Sequence, residues 1–85
     1  MYTTIEIKQL IANAITEVTG IVNIDDNTSI IGRILGITPA DIIYIFDILE
    51  QKMNIPVHSV FIHNTSEVMT IDGLSKALYL LQTEM

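Results

Sequence analysis

The sequence predicts an all-α domain, and three observations predict it. Apolar residues recur at three- and four-residue spacing in three separate windows, capping signals open the first two of them, and Gly20 and Pro56 punctuate their ends. Composition alone points elsewhere: isoleucine, present 17 times, favours strands, so periodicity and caps decide. With 49 % hydrophobic and 16 % charged residues the chain is a packed globule and not a disordered tail. Its 85 residues suffice for one domain, residues 1–85, with one core.

The first helix is expected over residues 4–19. Thr3 stands three residues before Glu6, the spacing of a capping box, and Tyr2 and Ile7 occupy the two staple positions around it. Ile7, Leu10, Ile11, Ala14, Ile15 and Val18 then follow at helical spacing, and Gly20 supplies a left-handed stop. Residues 21–37, IVNIDDNTSIIGRILGI, carry no sustained period and read as a long loop pinned by Ile24, Ile30, Ile31, Ile34 and Leu35. A loop of this length in a small domain is usually functional.

The next helix opens on TPAD. Thr38 is the N-cap, Pro39 takes the first helical position where its missing N–H costs nothing, and Asp41 sits near the positive end of the helix dipole. Ile42, Ile45, Phe46, Leu49 and Met53 share a core face, and the helix must stop before Pro56. The stretch VHSVFIHNTSEV, residues 57–68, fits a short strand or a short irregular helix equally well. A last helix begins after Thr70, with Ile71, Leu74, Ala77, Leu78 and Leu81 inward and Asp72, Ser75, Lys76 and Gln82 outward.

The stretch LGITPADIIYIFDILEQKMNIPV (residues 35–57) and the later MTIDGLSKALYLL (residues 69–81) together resemble the acyl carrier and peptidyl carrier protein family. Leu35 and Gly36 match the pair that closes the family's long loop. Leu49 and Glu50 match its late leucine and glutamate, residues 55–57 match the apolar segment after them, and Thr70, Ile71 and Leu74 match the start of its final helix. The resemblance covers residues 7–81. It implies a four-helix bundle of the acyl carrier type, with a long loop between helices one and two and a short third helix.

In the family an Asp-Ser-Leu motif opens the second helix and its serine carries 4′-phosphopantetheine. Here Thr38, Pro39 and Ala40 stand at those positions. Proline has no hydroxyl, so no phosphodiester can form on it. What remains is the mechanical half of the motif, since threonine caps a helix as aspartate does and proline suits its first turn. A shift that made Thr38 the attachment point would undo the match of Leu35 and Gly36. No cofactor is therefore expected. The family's partner-facing positions fall here on Ala40, Ile43, Tyr44, Asp47 and Gln51, with Asp41 and Glu50 still acidic. That face is more apolar and less acidic than the family's, with Ile43 nearer the core and Tyr44 nearer solvent. The segment between Pro56 and Thr70 is longer than the resemblance leads one to expect.

Other chemistry is thinly represented. Asp25, Asn27 and Ser29 fall on the first, third and fifth positions of a calcium loop, but Ile30 replaces its glycine and Gly36 its closing glutamate, which leaves a polar turn cluster. His58 and His63 have only Glu67 as a nearby carboxylate in sequence and read as loop histidines, so no metal is expected. Without cysteine there is no disulfide, thiolate metal site or cysteine nucleophile. No nucleophilic triad, phosphate loop or zinc-protease pattern occurs, and the expectation is a protein that is not an enzyme.

A formal charge of −6 opposes binding to nucleic acid. No apolar run long enough to span a membrane and no signal-like start is present, which predicts a cytoplasmic location without membrane contact. A monomer is expected. The resulting expectation is a carrier-like protein that docks on the enzymes of a biosynthetic pathway through Thr38, Pro39, Ala40, Ile43, Tyr44, Asp47 and Gln51. The resemblance extends to the carrier-related proteins of bacterial peptide-maturation systems. The alternative is a working acyl or aminoacyl carrier modified on a non-standard hydroxyl.

Overall fold

In the computed structural model, residues 1–30, 35–60 and 69–84 are described. They form three helices, α1 (Thr4–Thr19), α2 (Pro39–Met53) and α3 (Ile71–Glu84). Among the described residues there is no strand; Ser29 and Thr70 make an isolated antiparallel bridge. The short helix expected between the last two falls largely on residues 61–68, outside the described residues, so the architecture seen is all-helical with three helices.

α1 starts where its box places it. Thr3 Oγ1 accepts the Glu6 N–H at 3.2 Å and Glu6 Oε1 accepts the Thr3 N–H at 2.9 Å. The Thr3 N–H, and then the Thr3 hydroxyl, hold the Glu6 carboxyl below the usual range. Tyr2 packs on the core that Ile7 enters, as a staple requires. The helix stops at Gly20, whose φ of 78° is the left-handed conformation expected there and whose N–H returns to Thr16 O at 2.8 Å. Its buried face, Ile7, Ile11, Ala14 and Ile15, packs against both α2 and α3.

α2 buries the five residues its spacing selected, Ile42, Ile45, Phe46, Leu49 and Met53. Its stop comes from Asn54, in the left-handed region at φ 56°, with its N–H on Glu50 O at 2.7 Å. Pro56 only forbids continuation; asparagine, which tolerates that conformation, makes the turn. After it, Ser59 N–H reaches Pro56 O and Val60 N–H reaches Val57 O, and Val57 and Val60 are buried.

The long connection holds the start of α3. Thr70 caps that helix, its Oγ1 accepting the Gly73 N–H at 2.9 Å and its carbonyl the Leu74 N–H at 2.8 Å. The Asp72 N–H has no carbonyl of its own helix to reach and is taken by Asp26 O at 2.9 Å. Beside it the Ile30 N–H donates to Met69 O at 2.7 Å, and both side chains are buried. Of the expected loop anchors, Ile30 is buried, Ile24 and Leu35 are half-buried, and Ile31 and Ile34 lie outside the described residues. Asp25 forms the polar turn: its Oδ1 accepts the Asn27 N–H and its carbonyl the Thr28 N–H.

The outer face of α3 departs from expectation at three of four positions. Lys76 is exposed, but Ser75 is 0 % exposed. Its Oγ donates to Asp72 O at 2.7 Å, so the hydroxyl is satisfied within its own helix and a small side chain can enter the core. Gln82 is half-buried because its amide pairs with both backbone groups of Tyr2, joining the two ends of the domain. Asp72 is half-buried among cations: it meets Lys8 and Lys76, each at 3.0 Å, while Lys8 also meets Asp26 at 3.1 Å.

Lys8 thus bridges α1, the loop and α3. Asp72 first and Asp26 second hold its ammonium above the usual lysine range, and Lys76 first and Lys8 second hold the Asp72 carboxyl below the usual aspartate range. A lowered carboxyl stabilises the fold above its unfolded pKa of about 3.9, and that contribution is lost as pH falls through the lower folded value. A raised lysine does so below about 10.4 and is lost as pH rises through the higher folded value. Lys8→Met should therefore lower the melting temperature modestly between about pH 5 and pH 9, less in high salt, and the deficit should close as the solution is acidified below about pH 3. A deficit that persists in acid would assign the effect to the lysine stem and not its charge.

Candidate functional site

The residues expected to meet a partner lie at the start of α2 and along its outer side. Thr38 Oγ1 accepts the Asp41 N–H at 3.1 Å, and Asp41 Oδ2 accepts the Thr38 N–H at 3.2 Å, a reciprocal box that goes beyond the expected cap and favourable charge. Pro39 follows at the first helical position. At about 100° per residue, Ala40, Ile43, Tyr44, Asp47 and Gln51 fall within an arc of about 100°. That arc is opposite the stripe that Ile42, Ile45, Phe46, Leu49 and Met53 bury.

Exposure follows that geometry: Thr38, Pro39, Ala40, Asp47 and Gln51 are all exposed. Tyr44 is 62 % exposed, as expected, while Ile43, expected nearer the core, is 54 % exposed. Ile43 lies on the flank of the outer arc, one position past the last core residue of its turn, and helix geometry outweighs its hydrophobicity. The helix therefore shows solvent two large apolar side chains bordered by a carboxylate and an amide. Glu50 and Asp41 are half-buried, each accepting a backbone N–H, from His58 and Thr38 respectively.

A second constellation sits on the flank of the same helix. The turn after Pro56 brings His58 alongside α2, where its Nε2 lies 2.9 Å from Asp47 Oδ1 and its backbone N–H donates to Glu50 Oε1 at 3.0 Å. The ring meets the edge of buried Phe46, with centroids 5.6 Å apart at 63°. Asp47, Glu50 and His58 each offer a ligand atom, all within 4.8 Å of one another. In sequence His58 has only Glu67 as a nearby carboxylate; in the fold its carboxylate neighbours come from the preceding helix. Part of the signal is in the sequence: Asp47 and Glu50 are three apart on one helix face, and Pro56 ends that helix shortly before His58. His63 and Glu67 lie outside the described residues.

No described helix is long and apolar enough to cross a membrane.

The division of α2 into a capped start, a buried stripe and an exposed stripe predicts three sizes of effect in chemical denaturation. Thr38→Ala should cost about 1 kcal/mol and Thr38→Asp should be tolerated. Phe46→Ala should cost about 3–5 kcal/mol, whereas Ile43→Ser and Tyr44→Ser should stay within about 0.5 kcal/mol of the parent. A core-sized loss at Ile43 would place it against the rest of the fold.

Comparison of the chain with models of protein families, with curated proteins and with solved structures returned no match.

Proposed function

We propose that this chain is a non-enzymatic, carrier-like protein that works by docking α2 on another protein, an enzyme of a biosynthetic or peptide-maturation system. The observation that carries the reading is the pairing of an intact, doubly bonded helix start at Thr38 with an exposed stripe of Ala40, Ile43, Tyr44, Asp47 and Gln51. Ile43 and Tyr44 stand adjacent and exposed on a well-capped helix. They suit a partner that covers them. The resemblance of residues 35–57 to the carrier family supplies the kind of partner.

Loss of the attachment chemistry fits the same reading. Pro39 has no hydroxyl, and the Thr38 hydroxyl serves the helix start as its cap, accepting the Asp41 N–H. Intact mass should stay unchanged when the protein is incubated with coenzyme A and a broad-specificity phosphopantetheinyl transferase. Stoichiometric addition of the arm at any residue would sink the proposal in favour of a working carrier with a non-standard attachment point.

Restoring the motif tests the scaffold. Thr38→Asp, Pro39→Ser and Ala40→Leu together change exposed positions only and keep a capping side chain, so stability should move by no more than about 1–2 kcal/mol. The triple variant should accept the arm. Tyr44→Glu should speed the reaction by improving attraction to a basic transferase, an advantage that salt removes. A folded triple variant that stays unmodified even with Tyr44→Glu would reduce the protein to a helical domain without carrier character.

A further inference from the structure

We propose that Asp47, Glu50 and His58 form a binding site for a divalent ion of the zinc type. The site shares Asp47 with the docking stripe, but it is measured on the protein alone without any partner, so its failure and that of the docking reading are distinguishable. Three features carry it. The donors are one imidazole nitrogen and two carboxylates, a mixed set that suits zinc and its neighbours; calcium and magnesium ask for more oxygens. The three donors already converge, with all ligand atoms within 4.8 Å of one another. The histidine, finally, is held from two sides, its backbone N–H by Glu50 Oε1 and its ring by the edge of Phe46.

In a tetrahedral sphere with bonds of about 2.1 Å, neighbouring donors stand about 3.4 Å apart. The His58 Nε2 to Asp47 Oδ1 distance of 2.9 Å must open slightly, and any separation close to the 4.8 Å bound must close by up to about 1.4 Å. Asp47 is exposed and His58 half-exposed, so small side-chain rotations achieve this without moving the helix. The ion takes the place of the proton between Nε2 and Oδ1. Neutral His58 then carries its proton on Nδ1, and a protonated ring must release one proton to bind. Glu50 supplies the third bond, and water completes the sphere. The ion would fasten the segment after Pro56 to α2 by a bond stronger than the present hydrogen bond.

Titration with Co²⁺, read by its visible absorption, and with Zn²⁺, read by competition with a chromophoric chelator, tests the site at about pH 7.5 and about pH 5.5. The expected result is one ion per chain at micromolar concentration, binding that weakens in acid, and a melting temperature that rises with Zn²⁺. Asp47→Asn, Glu50→Gln and His58→Ala should each weaken binding by about tenfold or more while circular dichroism shows the helices intact. His63→Ala should bind as the parent does. The proposal is overturned if no ion binds below about 1 mM, or if binding survives both Asp47→Asn and His58→Ala. An equal loss in His63→Ala overturns it as well, because the ion would then sit elsewhere.

Discussion

One apolar stripe on α1 is the surface on which the rest of the molecule is assembled. Ile7, Ile11, Ala14 and Ile15 are buried, and both large helix–helix contacts of the described fold are made against this helix. Burying each isoleucine is worth roughly 1.5–3 kcal/mol relative to leaving it in water. Three of them approach the whole net stability of an ordinary small domain, about 5–15 kcal/mol, before the entropy of ordering the chain is set against them. α2 and α3 are therefore held mainly through a shared neighbour, and the inward faces of both are fixed by what α1 offers. The outer side of α2 is left to solvent as a result.

Apolar burial fixes which faces meet but not where along its axis each helix sits. The polar joints do that. Lys8 reaches the loop through Asp26 and α3 through Asp72, the Asp26 carbonyl takes up a backbone donor at the start of α3, and Gln82 grips the backbone of Tyr2. The ionic members of this set lie near the surface and contribute little energy each. The backbone bonds matter more, because an unpaired donor at a helix start costs about 1–3 kcal/mol wherever water cannot reach it. The connection of residues 21–30 is thus a cap supplied from a distance, which gives a structural reason for the length of the loop.

The local layer of this structure was legible in the sequence. Thr3 with Glu6, Gly20, Thr38 with Pro39, and the five buried residues of α2 are all set by bonds or spacings within a few residues, and they stand where periodicity and capping rules put them. What the sequence concealed is where residue type and position conflict, and which segments meet at a distance. Ser75 looked polar and therefore outward, yet its hydroxyl is satisfied by a carbonyl three residues back and the side chain is free to be buried. Ile43 looked apolar and therefore inward, but its angle on the helix leaves it more than half exposed. Of the site, the exposed arc from Ala40 to Gln51 could be read from helical geometry, whereas the meeting of His58 with Asp47 and Glu50 depends on how the chain turns after Asn54. No local rule specifies that turn's direction.

The central position of α1 also sets an order of events during folding. Its two partners lie at very different distances along the chain, α2 beginning at Pro39 and α3 at Ile71. Closing the shorter loop costs less chain entropy, so α1 and α2 can associate first, while the stripe that α3 will cover stays wet. As the polypeptide emerges from a ribosome, that half-covered stripe is exposed for the whole time needed to make everything up to Glu84. Placing the earliest of the three helices at the centre of the core lengthens the interval in which the nascent chain is sticky, and shielding it then falls to whatever meets the chain at the tunnel exit.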